Sequence, residues 1–153
     1  VSWATFFAGL SSAAAVTDTV SALVRNTRGT RRSLLLEVQR NINLLYLFIE
    51  DEAKQAVVIN KLETRCYDEA IKSNFDFARI KRGKVSKRVV GDIAQFQSYV
   101  GWTTEQLFEN IYLKIHALKS IVEIDPKNRR FRVSVRLKNL LKMMLLLLKH
   151  VKD

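Results

Sequence analysis

Apolar and polar positions recur with a helical period over most of the chain. From Leu35 onward, Val38, Ile42, Leu45, Ile49, Ala53, Ala56, Ile59, Leu62 and Cys66 follow at steps of three and four. Glu37, Arg40, Lys54, Lys61 and Arg65 fall between them. This is one apolar stripe with a polar back, the pattern of an amphipathic helix. No Gly or Pro interrupts residues 30–82, so the pattern predicts a long second helix over 30–74. Unbroken, it would span about 66 Å at ~1.5 Å per residue. Such a length implies a kink, a protruding half, or a partner chain along it.

Four other helices follow from the same reading. An apolar first helix covers residues 2–25 and ends before Arg28-Gly29. A shorter one at 89–100 places Val89, Ile93, Phe96 and Val100 at helical spacing, is weakened by Gly91 and stops at Gly101. Residues 103–124 open with Thr103 and, three places on, Gln106, which is the spacing of a capping box. That helix carries Leu107, Ile111, Leu118 and Val122 and ends before Pro126. The last helix, 128–152, is apolar nearly all round from Leu140, with Lys138, Lys142 and Lys149 on one narrow strip. It belongs at the centre of a bundle with only its lysine edge wet. Residues 131–136 alternate like a strand, but such a strand would have no partner, so helix is preferred. Residues 75–88 read as a basic loop. The expected fold is all-α: a single-domain, up-and-down bundle of about five helices over 1–153, with one unusually long second helix.

Composition narrows this further. The chain has 153 residues, enough for one domain and too few for two ordinary ones. Five Gly and one Pro leave little turn material for a β-sandwich or barrel. One Cys excludes a disulfide framework within the chain and suits a reducing compartment. One Cys and two His fall short of the ligands most zinc sites need. No metal or other cofactor is expected, and the chain reads as cytoplasmic.

Residues 3–24 contain one charge, Asp18, and are followed by Arg25, Arg28, Arg31 and Arg32, like a membrane span and its anchor. The energetics oppose insertion. An Asp near the middle of a span costs about 2.5–3.5 kcal/mol, while each Leu, Phe or Val returns only about 0.3–0.6. Thr5, Ser11, Ser12, Thr17, Thr19 and Ser21 add to the cost. A close-packing bundle helix is the favoured reading. Self-assembly through Gly9, Ala13 and neighbouring small residues is the alternative.

Charge changes the picture most. The 26 Lys and Arg outnumber the 15 Asp and Glu, for a net charge of +11. Three stretches hold no acid: Arg25, Arg28, Arg31 and Arg32; Arg79, Lys81, Arg82, Lys84, Lys87 and Arg88; and Lys127, Arg129, Arg130, Arg132, Arg136 and Lys138. Each lies just before or within the first turn of a predicted helix, where the macrodipole disfavours cations by about 0.3–1 kcal/mol each. A local rule broken three times points to function. The compensation expected is an external anion, held by backbone N–H groups and by bidentate Arg. Two predicted helices separate the second stretch from the third, so an up-and-down bundle should bring both to one pole. Phe75, Phe77 and Phe131 would offer stacking surfaces there. The acidic groups Glu50-Asp51-Glu52, Glu63, Asp68 and Glu69 could instead pair with scattered cations.

Catalytic constellations are thin. Lys84 follows Gly83 without the rest of a phosphate-binding loop. Glu50, Asp51 and Glu52 are consecutive and splay around a helix. No Glu-x-x-His occurs, so a di-iron bundle is unsupported. His116, with Tyr112 one turn earlier, reads as a packed or half-exposed histidine. His150, near a helix C-terminus, is a place where the dipole favours His⁺. Cys66 reads as a small core residue. The ribonuclease bundles of the HEPN group carry an Arg, a polar residue and then a His. Here Arg25-Asn26 is followed by Thr27, Arg28, Gly29 and Thr30, so the likeness is one of architecture only.

The expectation is therefore a non-enzymatic protein that grips a polyanion, nucleic-acid phosphates first, with little sequence specificity. The anion would meet the pole of 79–88 and 127–138. The alternative is a self-assembling, pore-like protein at an anionic membrane, organised by residues 3–24 and peripheral to the inner membrane. A third reading is an RNA-targeting bundle without the HEPN motif. Self-association, as a dimer first, is expected in each case.

Overall fold

The apolar periodicity becomes a set of helices whose buried sides meet in one core. The computed structural model describes residues 3–48, 54–125 and 132–153. In chain order the helices are α1 (Trp3–Phe6), α2 (Ala13–Val24), α3 (Gly29–Phe48), α4 (Gln55–Lys61), α5 (Arg65–Lys72), α6 (Lys87–Val90), α7 (Thr104–Ile124) and α8 (Val133–Lys152). Two 3-10 turns, Phe77–Arg79 and Ala94–Tyr99, link them. Among the described residues there is no strand, only one isolated antiparallel bridge between Lys84 and Thr103. The protein is an all-α bundle, as its sequence pattern predicts.

The helix predicted over 2–25 is two helices. Gly9 adopts φ +85°, a left-handed conformation that costs a side-chain-bearing residue strain and ends the first turn. Ser12 then starts α2 afresh, its hydroxyl accepting the N–H of Ala15 at 3.1 Å. Val16, Val20 and Val24 bury α2 antiparallel against α3. Gly9 is thus a break, not a close-packing residue. No helix among the described residues is long and apolar enough to cross a membrane.

The long second helix starts at Gly29 and runs 20 residues to Phe48. The apolar stripe continues, but over separate helices, α4 and α5. At Leu62 the backbone turns extended, with φ −58° and ψ 131°. Polar residues of α3 that face inward hold this break. Asn41, fully buried, donates to the carbonyl of Glu63 at 2.9 Å and accepts its N–H at 2.8 Å. One turn earlier, Glu37 takes the free N–H groups that open α5. Glu37 therefore belongs to the core and not to the polar back where its place in the stripe put it.

The helix predicted over 89–100 is short. It stops after Val90, where Gly91 turns at φ +59°, a conformation that residues with side chains rarely adopt. The chain then runs as a 3-10 turn along α8, where Gln95 meets Asn139, and returns to pair Val85 with Trp102 and Gly101. The capping box at Thr103 and Gln106 forms as predicted. Helix α8 packs antiparallel to α7 and also against α3. Residues 133–136 are helical, as preferred over strand. The lysine edge of α8 is only partly wet, because Lys142 lies over the Trp3 ring at 4.0 Å and Lys149 over Phe6 at 3.6 Å.

Candidate polyanion-binding surface

Residues 79–88 alternate between anchors and cations. Ile80, Val85, Val89 and Val90 are buried, while Arg79, Arg82, Lys84, Lys87 and Arg88 are exposed. The anchors fix the segment where the start of α7 meets the end of α8. The Lys81 carbonyl accepts the Thr104 hydroxyl at 2.7 Å, and Val85 exchanges backbone hydrogen bonds of 2.8 Å with Trp102 and Gly101. The Lys81 ammonium donates to the Asp153 carbonyl, and Arg88 meets the Asp153 carboxylate at 2.8 Å. Two of the six cations are thus answered by the end of α8. Arg79, Arg82, Lys84 and Lys87 have no ion pair among the described residues. Lys152 also reaches this pole because α8 ends here. The cleft between the segment and α7 holds Asp76 and Glu105 as well as Lys81 and Lys84. The cleft therefore mixes both signs, and Arg79, Arg82 and Lys87 are exposed outside its lining.

The third basic stretch is not at this pole. Arg132 precedes the first residue of α8, whereas Lys81 and Arg88 meet Asp153 beyond its last. Twenty residues of helix separate them, about 30 Å at ~1.5 Å per residue. The expected convergence of 79–88 with 127–138 fails in its described part, Arg132 to Lys138. The cause is the short segment at 87–99: it leaves the pole and returns to it, so only α7 crosses the bundle between the two stretches. Lys127, Arg129, Arg130 and Phe131 lie outside the described residues, as do Glu50, Asp51 and Glu52.

Two of the four cations of the first stretch, Arg31 and Arg32, find their compensation inside the protein. Arg31 and Arg32 donate to the carbonyls of Leu23 and Val24 at 3.3 and 3.2 Å. These are carbonyls at the C-terminal end of α2, the negative end of its dipole. Cations at the start of α3 are therefore cations at the end of α2.

The stacking role of Phe77 does not survive. Its ring is 3% exposed and enclosed by Tyr67, Phe75 and Phe108. Phe75 is half-buried and packs edge-on against it. The half-buried aromatics beside the basic segment are instead Tyr99 and Trp102, whose rings meet at 4.7 Å. No sequence spacing marks them, because Gly91 and Gly101 set the excursion that brings them back.

The groups with catalytic potential are otherwise engaged. Burial, aided by Glu37, pushes the Cys66 thiol up to about 11, so it stays protonated at neutral pH. His116 lies 3.6 Å from Asp68 at the surface. His150 is 1% exposed, and burial pushes its pKa down, so desolvation outweighs the dipole that its position suggested. Among the described residues, no group of three His, Cys, Asp or Glu could hold a metal ion. The aromatics that open the apolar stretch 3–24, Trp3, Phe6 and Phe7, pack onto Phe96. No family model, curated protein or solved structure matches this chain.

Proposed function

We propose that the protein is a non-enzymatic, basic helical protein that binds a polyanion, nucleic-acid phosphates first, with little sequence specificity. The site is the exposed surface of residues 79–88, where they meet the end of α8. One observation carries the reading: Arg79, Arg82, Lys84 and Lys87 are exposed and without ion pairs among the described residues, on a segment anchored by buried Ile80 and Val85 and followed by buried Val89 and Val90. Cations on a backbone pinned by hydrogen bonds suit a repeating anion, because little loop freedom remains to be lost on binding. Phosphate contacts position a backbone and read no sequence.

Titration of generic single- and double-stranded RNA and DNA tests this. With about four phosphates neutralised, the logarithm of the association constant should fall with the logarithm of salt at a slope of roughly −3 to −4. The variant Arg82→Glu/Lys84→Glu/Lys87→Glu should lose binding while keeping its helical circular dichroism. Salt-independent affinity, or unchanged affinity in that variant, overturns the reading.

A further inference from the structure

The outer ridge of α7 carries a second feature, independent of the polyanion surface. Leu113 is 61% exposed and Ile124 is 76% exposed on this ridge. Two grooves flank it. Between α5 and α7 lies one of about 570 Å³, lined by Ile71 and Leu113 and by three carboxylates, Asp68, Glu105 and Glu109, that outnumber Lys72, with His116 beside Asp68. Between α7 and α8 lies another of about 440 Å³, whose lining includes Lys114, Leu118, Arg132, Val135 and Arg136, with no carboxylate among the described residues that line it. Four of the six large apolar side chains exposed among the described residues sit on this ridge or in its grooves: Ile71, Leu113, Ile124 and Val135. Apolar surface gathered this way, rimmed by charge, marks an interaction site.

We propose that this face binds a second copy of the chain, each acidic groove seated on the basic groove of the other copy. The charges select that occupant. An acidic partner would suit one groove and be repelled by the other, and a basic partner the reverse. A second copy satisfies both at once. The operation is a two-fold axis lying in the face, midway between the grooves and perpendicular to the line joining them. It places groove on opposite groove twice, as an isologous interface requires. Leu113 lines the acidic groove and Lys114, its neighbour, lines the basic one, so Leu113 lies near the axis and meets its own copy. The apolar centre supplies attraction, and the flanking charges fix orientation and exclude like-charged docking.

Sedimentation equilibrium of the full chain tests the proposal. The wild type should be a dimer. Leu113→Asp should be monomeric with unchanged helical content. Reversing one groove, with Glu105→Lys/Glu109→Lys or with Lys114→Glu/Arg132→Glu, should raise the dissociation constant at least about tenfold, because each copy then presents two grooves of one sign. Mixing those two variants should restore a heterodimer. A monomeric wild type, or reversed variants that dimerise as well alone as together, overturns the proposal. Nucleic-acid binding by Leu113→Asp is measured separately and does not bear on it.

Discussion

The fully buried carboxylate of Glu37 accepts the hydroxyl proton of Tyr112 at 2.7 Å, tying α3 to α7 through the centre of the bundle. The same carboxylate takes the backbone N–H groups of Cys66 at 2.7 Å and Tyr67 at 3.3 Å. Helix α5 opens at Thr64 without a side-chain cap of its own, so its N-terminal cap is supplied from α3. A negative group there also suits the helix dipole. Tyr112 stacks on Tyr67 at 4.2 Å, and burial with Glu37 beside it pushes its pKa well above the ordinary tyrosine value.

Glu37→Ala should therefore be among the most damaging substitutions away from the aliphatic core. It strands a buried hydroxyl and frees two N–H groups, at about 1–3 kcal/mol for each group left unsatisfied. A total near 3 kcal/mol would lower Tm by roughly 6–12 °C in a chain of this size. Tyr112→Phe should cost only about 1–2 kcal/mol, since the carboxylate keeps its other donors. Urea denaturation of both variants and the double variant measures the coupling. Additive losses would show that the contact contributes nothing of its own.

His150 gives the protein a pH dependence of stability. The Thr104 hydroxyl donates its one proton to the Lys81 carbonyl, so His150 Nε2, 3.0 Å away, must donate to Thr104. Burial first, and Lys81 second, lower its pKa from the ordinary 6.5, partly offset by Asp153. The unfolded chain then takes up the proton before the folded one as pH falls. The contribution is complete above about 6.5 and is lost below it. Denaturation midpoints should fall between pH 7.5 and 5.5 in the wild type, and less in His150→Gln, whose amide can still donate to Thr104. Equal slopes in the two proteins would remove His150 as the cause.

The elements easiest to read in the sequence were those that carry their own signals. The Thr103–Gln106 box sets the start of α7, and the continuous apolar run of Met143 to Leu148 makes α8 central. The break at Leu62 left no local trace, because it is held by Glu37 and Asn41, polar residues whose inward direction the stripe did not reveal. The candidate site was half legible. Five of the six cations of 79–88 are exposed and Lys81 is half-buried, but their partner stretch was placed by counting helices, and residues 87–99 do not cross the bundle. The weak helix signal at Gly91 was the clue to that.

Arg31 and Arg32 separate structural cations from those proposed to bind. Both bond the last carbonyls of α2, and charge-assisted hydrogen bonds to such acceptors are stronger than neutral ones. Arg31→Ala/Arg32→Ala should lower stability by about 1–2 kcal/mol and leave nucleic-acid affinity within about twofold. Arg82→Ala/Lys84→Ala should do the opposite, with thermal stability kept and affinity reduced. Parallel melting curves and binding titrations distinguish the two sets. A loss of affinity in the Arg31/Arg32 variant with an intact melting curve would extend the binding surface to α3.

Lys149 joins the N-terminal segment to α8 without an acidic side chain in the contact. Its ammonium lies 3.6 Å from the centre of the Phe6 ring and donates to the Phe6 carbonyl at 3.2 Å. Partial burial lowers its pKa, with Asp153 opposing the shift. Phe6 in turn meets Phe7 and Phe96, and Tyr46 holds the following turn by donating to the Leu10 carbonyl at 2.6 Å. A cation over an aromatic face is worth about 0.5–2 kcal/mol and depends on ring geometry. Lys149→Met keeps most of the aliphatic stem and removes the charge, so it should cost about 1 kcal/mol. The loss should persist in high salt, because the contact is short and partly shielded. Proteolysis between α1 and α2 should quicken in the variant, since the segment is held chiefly from α8 and the Phe96 cluster. A variant as resistant to cleavage as the wild type would show that the aromatic packing alone secures residues 3–10.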